Sequence, residues 1–154
     1  AAGCKFGERC DFAAGCKFGE RCHFAAGCKF GERCHFVAWC DFAAGCHFGD
    51  VCNFAALCNF GAWCRFGKRC NLEVDKELIG NTIYTCGGYG SENRTTYGIP
   101  TASGVYVRCG CWHGWLPEFR ARAQSVYAES RIEAEYGLVA DLFEARWRRE
   151  VSHD

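Results

Sequence analysis

The sequence predicts a mainly β protein in two parts: a parallel β-helix, or solenoid, over residues 1–72 and a smaller α+β module over residues 81–154, joined by a link over residues 73–80. The first observation is a strict six-residue repeat, in which cysteine returns at every sixth position from Cys4 to Cys70. The second is the loss of that period after residue 72, where strand-like and then helix-like patterns begin. A short fixed period indicates a solenoid, because one unit cannot bury its own apolar face.

The repeating unit reads Cys-x-Phe-(Gly/Ala)-x-x, with Val37 at the small position once and Leu72 in place of the last Phe. Residues two apart on a strand share a face, so Cys and Phe point inward and the residue between them points outward. A helix is excluded, because six-residue steps would spread the Phe side chains around its axis. The small residue after each Phe suits a tight corner. The predicted outward residues are Lys5, Asp11, Lys17, His23, Lys29, His35, Asp41, His47, Asn53, Asn59 and Arg65.

With Phe as the inward position, Phe-(Gly/Ala)-x-x-Cys-x resembles the hexapeptide motif of left-handed parallel β-helices. That resemblance implies a triangular coil in which every third repeat stacks. Cys-Asn-Phe and Cys-Asp-Phe are also similar to the pentapeptide-repeat proteins, which are four-sided and right-handed, so both shapes stay open. Many hexapeptide β-helices are acyltransferases with a catalytic His beside a loop that leaves the coil. No loop interrupts this repeat, and we expect its histidines to be solvated.

The chain has fifteen cysteines, a number that would normally indicate a secreted, disulfide-bonded fold. Most of them lie in register in the repeat, where Cys serves as a small apolar residue. We therefore expect free thiols and a cytoplasmic protein. Disulfides between coils about 4.8 Å apart remain the alternative. No cofactor and no metal are predicted, since ligands strung along an axis do not converge on one ion.

Charge is balanced, with 18 basic and 18 acidic residues, so a nucleic-acid partner is not expected. No membrane association is predicted either, because no apolar run approaches the roughly 20 residues that span a bilayer. The chain begins at Ala1 within a repeat and contains no Met, so we expect the natural start to be missing.

Three large apolar residues stand at variable positions of the repeat. If every third repeat stacks, Trp39 lies over Leu57, and Trp63 lies on the neighbouring edge. Exposed rings beside flat Ala and Gly surface are typical of protein contacts. We interpret these residues as an interface for homo-oligomer formation. The alternative is that the C-terminal segment covers them.

The C-terminal segment predicts three strands followed by two helices. The strands are expected at 81–86, 94–99 and 105–112, with turns at the glycines of 87–90 and at 100–104. The first helix should run from Leu116 to about Tyr127, with Pro117 in its first turn, and should bury Leu116, Phe119, Ala123 and Val126. Ser130 and Glu133 form a capping box for a long second helix. The predicted apolar face of that helix is Ile132, Tyr136, Val139, Phe143, Trp147 and Val151.

Two stretches of this segment, Gly90-Ser-Glu-Asn-Arg94-Thr-Thr and Val107-Arg-Cys-Gly-Cys-Trp-His-Gly114 running into Leu116-Pro-Glu-Phe119, resemble a domain of phage and prophage proteins of unassigned role. Those proteins tend to have Thr where this chain has Trp115. The layout is also similar to that of phage anti-Thoeris sponges, oligomers that sequester nucleotide signals. The resemblance implies a non-enzymatic, homo-oligomeric phage protein that sequesters a nucleotide-like signal or blocks a host defence protein. An acyltransferase-like enzyme and a structural virion or filament component are the alternatives.

Cations and rings in this segment suit a phosphorylated ligand. Ordinary surface pairs such as Glu144 with Arg148 are the alternative. Two other sites are weaker hypotheses: Cys111 with His113 and Glu118 as nucleophile, base and orienter, and a zinc site at Cys86, Cys109, Cys111 and His113. Neither an oxyanion hole nor converging ligands can be identified, so no catalytic residue is predicted. The predicted ligand-binding residues are Arg94, Tyr97, Arg108, Trp112, His113, Arg146 and Arg148.

Overall fold

The computed structural model describes residues 1–153; Asp154, the last residue of the predicted C-terminal module, lies outside the described residues. The chain forms two compact units, the first from Ala1 to Thr82 and the second from Ile83 onward. The first is a parallel β-solenoid, and the second combines an antiparallel sheet with two helices. The predicted fold class is therefore confirmed.

Each repeat contributes one short strand to the solenoid. The outward residue and the following Phe form the strand, and the small residue and the two after it form a corner. The strands are β1 (Lys5–Phe6), β2 (Asp11–Phe12), β3 (Lys17–Phe18), β4 (His23–Phe24), β5 (Lys29–Phe30), β6 (His35–Phe36), β7 (Asp41–Phe42), β8 (His47–Phe48), β9 (Asn53–Phe54), β10 (Asn59–Phe60), β11 (Arg65–Phe66) and β12 (Asn71–Leu72).

Every third strand pairs in parallel, which gives three sheets: β1-β4-β7-β10, β2-β5-β8-β11 and β3-β6-β9-β12. Lys5 pairs with His23 and Phe6 with Phe24, so equivalent residues stack one coil apart. The solenoid is therefore three-sided, and the four-sided alternative is wrong. The left hand that the resemblance implies stays a prediction.

Phenylalanine rings fill the interior. Phe24 stacks on Phe42 of the same sheet at 5.0 Å between centroids, with ring planes 4° apart. Phe24 also meets Phe30 of the next sheet edge-on, at 4.9 Å and 85°. Offset-stacked and edge-to-face pairs suit the ring quadrupole and contribute about 0.5–1.5 kcal/mol each beyond burial. Because Phe recurs in every repeat from β1 to β11, the rings form one continuous column along the solenoid.

The buried cysteines satisfy corner carbonyl groups. The coil-to-coil backbone bonds use the carbonyls of Cys, of Phe and of the middle corner residue, which leaves the carbonyl of the first corner residue. A thiol one coil further along donates to it: Cys28 Sγ lies 3.3 Å from Gly7 O, and Cys40 Sγ 3.3 Å from Gly19 O. Because an unpaired buried carbonyl is costly, Cys suits this position better than a residue without a donor.

The corners have an unexpected conformation. The residue before each Cys lies in the left-handed region, and at eight corners it is not glycine. For a residue with a Cβ atom this conformation costs roughly 1–2 kcal/mol. The strained residues are Arg9, Arg21, Arg33, Trp39, Val51, Leu57, Trp63 and Arg69.

The segment predicted as a polar link belongs to the first unit. Within it, β13 (Lys76–Glu77) pairs antiparallel with β12 and extends the third sheet. Leu78 is buried, and its N–H donates to Cys70 O at 2.8 Å. A single buried Leu among charged residues is a weak sequence signal, which is why the strand was not predicted.

The second unit contains four strands where the sequence predicts three. They are β14 (Tyr84–Cys86), β15 (Thr96–Thr101), β16 (Gly104–Cys109) and β17 (Trp112–Trp115), which lie in that order and are all antiparallel. A 3-10 turn covers Ser91–Asn93. The single strand predicted at 105–112 is wrong: Gly110, with φ of 60°, reverses the chain there. Pro100, predicted in a turn, lies within a strand. The helices are α1 (Leu116–Tyr127) and α2 (Arg131–Val151).

Both helices cover one face of this sheet. Phe143 of α2 packs against Gly98, where a Cβ atom would approach the ring to 2.8 Å. The predicted α2 cap is confirmed, since Ser130 Oγ accepts from Glu133 N at 3.2 Å. Val126 and Val151, predicted to face the core, are exposed. No helix among residues 1–153 is long and apolar enough to span a membrane.

Candidate functional site: a pocket at the β16–β17 hairpin

A small pocket of about 80 Å³ opens in the second unit. The hairpin between β16 and β17, the 3-10 turn, α1 and Tyr136 of α2 surround it. Pockets that enclose a whole small-molecule ligand usually measure about 300–1,000 Å³, so this one suits a single small chemical group. Its lining residues are Ser91, Arg94, Cys109, Cys111, Trp112, Phe119, Arg122, Ala123, Tyr127 and Tyr136.

The hairpin that forms one wall depends on glycine. Cys109 pairs with Trp112, so the loop consists of Gly110 and Cys111. A two-residue hairpin loop commonly needs a positive φ at its first position, and Gly110 has φ of 60°. Arg94 lies directly across this glycine, because a Cβ atom at residue 110 would collide with the Arg94 guanidinium. The guanidinium therefore lies against the hairpin loop that joins Cys109 to Trp112.

The pocket lining is positively charged. Two guanidinium groups line it, Arg94 and Arg122, and no carboxylate of residues 1–153 does. Arg94 Nε donates to Glu92 Oε2 at 3.1 Å, and this hydrogen bond is the main cause that raises the pKa of Arg94. Among residues 1–153, the exposed Arg122 has no ion pair with a carboxylate. One cation is thus held in position, and the other is available to a ligand.

Aromatic rings form the remaining walls. Phe119 lies 5.6 Å from Trp112 and 5.3 Å from Tyr136, centroid to centroid. The Tyr136 hydroxyl accepts from Ser91 N at 2.9 Å, which attaches the 3-10 turn to α2. Burial raises the pKa of Tyr136 to about 12, so its hydroxyl remains protonated at neutral pH. The Tyr127 ring lies beside it at 5.8 Å.

Three of the predicted ligand-binding residues lie on the other face of the sheet. Tyr97, Arg108 and His113 occupy one row across β15, β16 and β17. The Arg108 guanidinium lies 4.6 Å from the centre of the Tyr97 ring, and His113 Nδ1 lies 2.6 Å from the Tyr106 hydroxyl. Because neighbouring residues on a strand alternate faces, this row points away from the row of Cys109 and the pocket.

The remaining predicted residues divide between the pocket and α2. Arg94 and Trp112 line the pocket. Arg146 lies 4.3 Å over the Tyr84 ring, and Arg148 pairs with Glu144, the surface pair that the sequence analysis named as the alternative. The structure therefore does not bring the seven predicted residues together in one place.

Sequence reasoning missed several pocket residues. Phe119 and Tyr136 were identified as core residues, without a role at a pocket edge. Arg122 follows Phe119 by three positions, so it borders the buried face of α1. That spacing is the sequence signal that could have placed Arg122 near the pocket. Ser91 and Tyr127 become neighbours of the site only through the packing of the 3-10 turn and α2.

Neither weaker chemical hypothesis is assembled in the structure. His113 points to the face opposite the pocket, and Glu118 Oε2 accepts from Trp115 N at 2.7 Å, so neither is placed to activate Cys111. Across residues 1–153, no group of three or more His, Cys, Asp or Glu side chains could hold a metal ion.

The predicted interface residues lie at two corners of the solenoid. Trp39 N donates to Ala56 O at 3.4 Å, which places Trp39 over Leu57 as predicted. Trp39 is 49% exposed and Trp63 82% exposed, so the two indoles flank the sheet β1-β4-β7-β10 as open apolar surface. Trp39, Leu57 and Trp63 are all corner residues whose backbone lies in the left-handed region.

Comparison with known proteins adds no relative. No protein-family profile, curated protein or solved structure matches this chain. The functional argument therefore depends on the chemistry of the pocket and of the solenoid corners.

Proposed function

We propose that this chain is a non-enzymatic binding protein, and that its pocket binds the anionic end of a small ligand such as the phosphate group of a nucleotide. One observation carries the proposal: Arg94 and Arg122 line an aromatic-walled pocket that contains no carboxylate. Charge-assisted hydrogen bonds from guanidinium groups to phosphate are about twice as strong as neutral ones.

The two arginines have different roles in this proposal. Glu92 holds Arg94 in place, so this cation is pre-organised and loses little side-chain entropy when a ligand binds. Arg122 is exposed and makes no ion pair among residues 1–153, so it can close over a bound anion. The pocket volume of about 80 Å³ leaves the rest of a nucleotide outside, against the exposed rim.

The wider role follows from the sequence resemblance. A phage protein that sequesters a nucleotide-like signal in the cytoplasm of a bacterial host would counteract a defence pathway without catalysis. The absence of any loop within the coils from β1 to β12 favours a binding scaffold over an acyltransferase-like enzyme. The exposed Trp39 and Trp63 support assembly into a homo-oligomer, in which several pockets act together.

Isothermal titration calorimetry with inorganic phosphate and adenosine diphosphate tests the proposal. We expect Arg122→Gln to weaken binding by about tenfold or more, since one charged hydrogen bond contributes roughly 1.5–3 kcal/mol. Arg149→Gln is the matched control, because Arg149 is an exposed arginine on α2 about thirteen residues, or roughly 20 Å, from Tyr136. Equal affinities for the wild type and Arg122→Gln, or no binding of either probe, would contradict the proposal.

A further inference from the structure

We infer that Cys109 and Cys111 form a thiol–disulfide exchange site, in which Cys111 attacks a small disulfide and Cys109 resolves the product. This inference goes beyond the proposed binding function, because it assigns covalent chemistry to one wall of the pocket. It rests on the two cysteines lining one pocket, on the cation beside the loop that joins them and on the hydrogen bonds of the buried thiol.

The two cysteines have the exposures that such a pair needs. Cys111 is exposed in the hairpin loop, whereas Cys109 at the end of β16 is 8% exposed. Both side chains line the same pocket, with only Gly110 between them. A disulfide needs Cα atoms about 4.4–6.8 Å apart, a distance that residues two apart across a tight turn can meet. The accessible thiol can therefore react first and the buried thiol second.

A cation lies beside both thiols. The Arg94 guanidinium lies against Gly110, and Arg94, Cys109 and Cys111 line the same pocket. The thiolate is the nucleophile in exchange reactions, and a nearby guanidinium attracts the negative charge carried by the attacking and leaving sulfurs. Glu92 offsets part of this charge but also holds the guanidinium over the hairpin. Arg94 is a positioning and electrostatic residue in this scheme.

Hydrogen bonds orient the buried thiol. Cys109 Sγ accepts from Thr96 Oγ1 at 3.3 Å and donates to the Tyr136 hydroxyl at 3.4 Å. Both partners are buried, so the sulfur is held at the pocket wall. A resolving thiol must lie close to the first sulfur, and these two bonds restrict its position.

The reaction balances with a small disulfide as the oxidant. Cys111 loses its proton to solvent and attacks one sulfur of the disulfide. The sulfur–sulfur bond of the small molecule breaks, and a mixed disulfide forms on Cys111. The thiolate that leaves takes up a proton. Cys109 then loses its proton and attacks Cys111 Sγ, which releases the second thiolate. Two protein thiols become one disulfide, and the small disulfide is reduced to two thiols.

The other cysteines differ in environment. In the solenoid, nine thiols are buried and donate to corner carbonyls, whereas Cys4, Cys10 and Cys16 at its N-terminal end are half-buried. Cys86, the remaining thiol of the second unit, is half-buried, and burial raises its pKa. A raised pKa means less thiolate and slower exchange. Cys86 is therefore a matched control from the same sheet.

The experiment exposes the full chain to hydroxyethyl disulfide, an uncharged probe, followed by acid quenching, alkylation and peptide mass mapping. We expect a disulfide between residues 109 and 111 to form first. Cys109→Ser should trap a stable adduct on Cys111, Cys111→Ser should abolish the reaction at this hairpin, and Cys86→Ser should react as the wild type does.

Arg94 variants test the cation. We expect Arg94→Gln to slow adduct formation about three- to tenfold and Arg94→Lys to restore part of the rate, because Lys retains the charge without the guanidinium fork. Oxidation of Cys86 or a solenoid thiol before Cys111, or an equal rate in Arg94→Gln, would overturn the inference. The probe carries no charge and phosphate is omitted, so failure here is distinguishable from failure of anion binding.

Discussion

Replacing a central ring of the solenoid should cost far more stability than replacing a terminal one. Phe42 is 3% exposed and stacks on Phe24 at 5.0 Å on one side and on Phe60 at 5.2 Å on the other. Phe6, in the first coil, is half-buried, and its one stacked partner among residues 1–153 is Phe24, at 4.9 Å. The same substitution at the two positions therefore removes different amounts of packing.

The magnitudes follow from burial and ring pairing. A fully buried Phe→Ala change typically costs about 3–5 kcal/mol, and loss of two stacked neighbours places Phe42→Ala at the upper end. For Phe6→Ala, partial exposure and a single stacked neighbour reduce the expected cost to about 1–2 kcal/mol. In a solenoid each coil contacts only its neighbours, so the central change also uncouples the coils on either side.

Hydrogen exchange of the solenoid amides, measured under reducing conditions, reports the local opening free energy. We expect Phe42→Ala to reduce protection in the coils on both sides of β7, and Phe6→Ala to reduce it only in the first coils. Equal losses for the two variants would refute the reasoning, because they would mean that the ring column does not contribute through nearest neighbours. Exchange in α1 and α2 serves as the internal reference.

Three further predictions concern corners, surface and pH. Val51→Gly should stabilise the chain by about 1 kcal/mol in thermal unfolding, since Val51 has φ of 60° and Gly removes that strain; a lower melting temperature would contradict this. Trp63→Gln should reduce self-association in sedimentation velocity, and Lys68→Gln, at another corner, should not; unchanged assembly would remove Trp63 from the interface. Hydrogen bonds from Arg120 and then Arg148 lower the pKa of Glu144 in the folded chain. Glu144 therefore stabilises the fold fully above its unfolded pKa of about 4.3, and this stabilisation is lost as the pH falls through the lower folded pKa. The stability difference between wild type and Glu144→Gln, from thermal unfolding, should therefore shrink as the pH falls below about 4.3; a constant difference would contradict it.

Local patterns in the sequence were enough for the regular elements. The six-residue period places a strand in every repeat, because Cys and Phe must share one face to be buried. The predicted bounds of α1, Leu116 to Tyr127, match the structure, and Ser130 caps α2 as predicted. These features depend on residues a few positions apart, so no tertiary information is needed to infer them.

Tertiary structure decided which strands pair and which side chains meet. The period is compatible with three or four sides, and only the pairing of every third strand settles the number. The reversal at Gly110 was hidden in an alternating pattern that reads equally well as one strand. Arg94 and Arg122 are far apart in the chain, and they line one pocket because the 3-10 turn and α1 pack against the same hairpin. Such proximity arises from packing between elements, which sequence spacing does not encode.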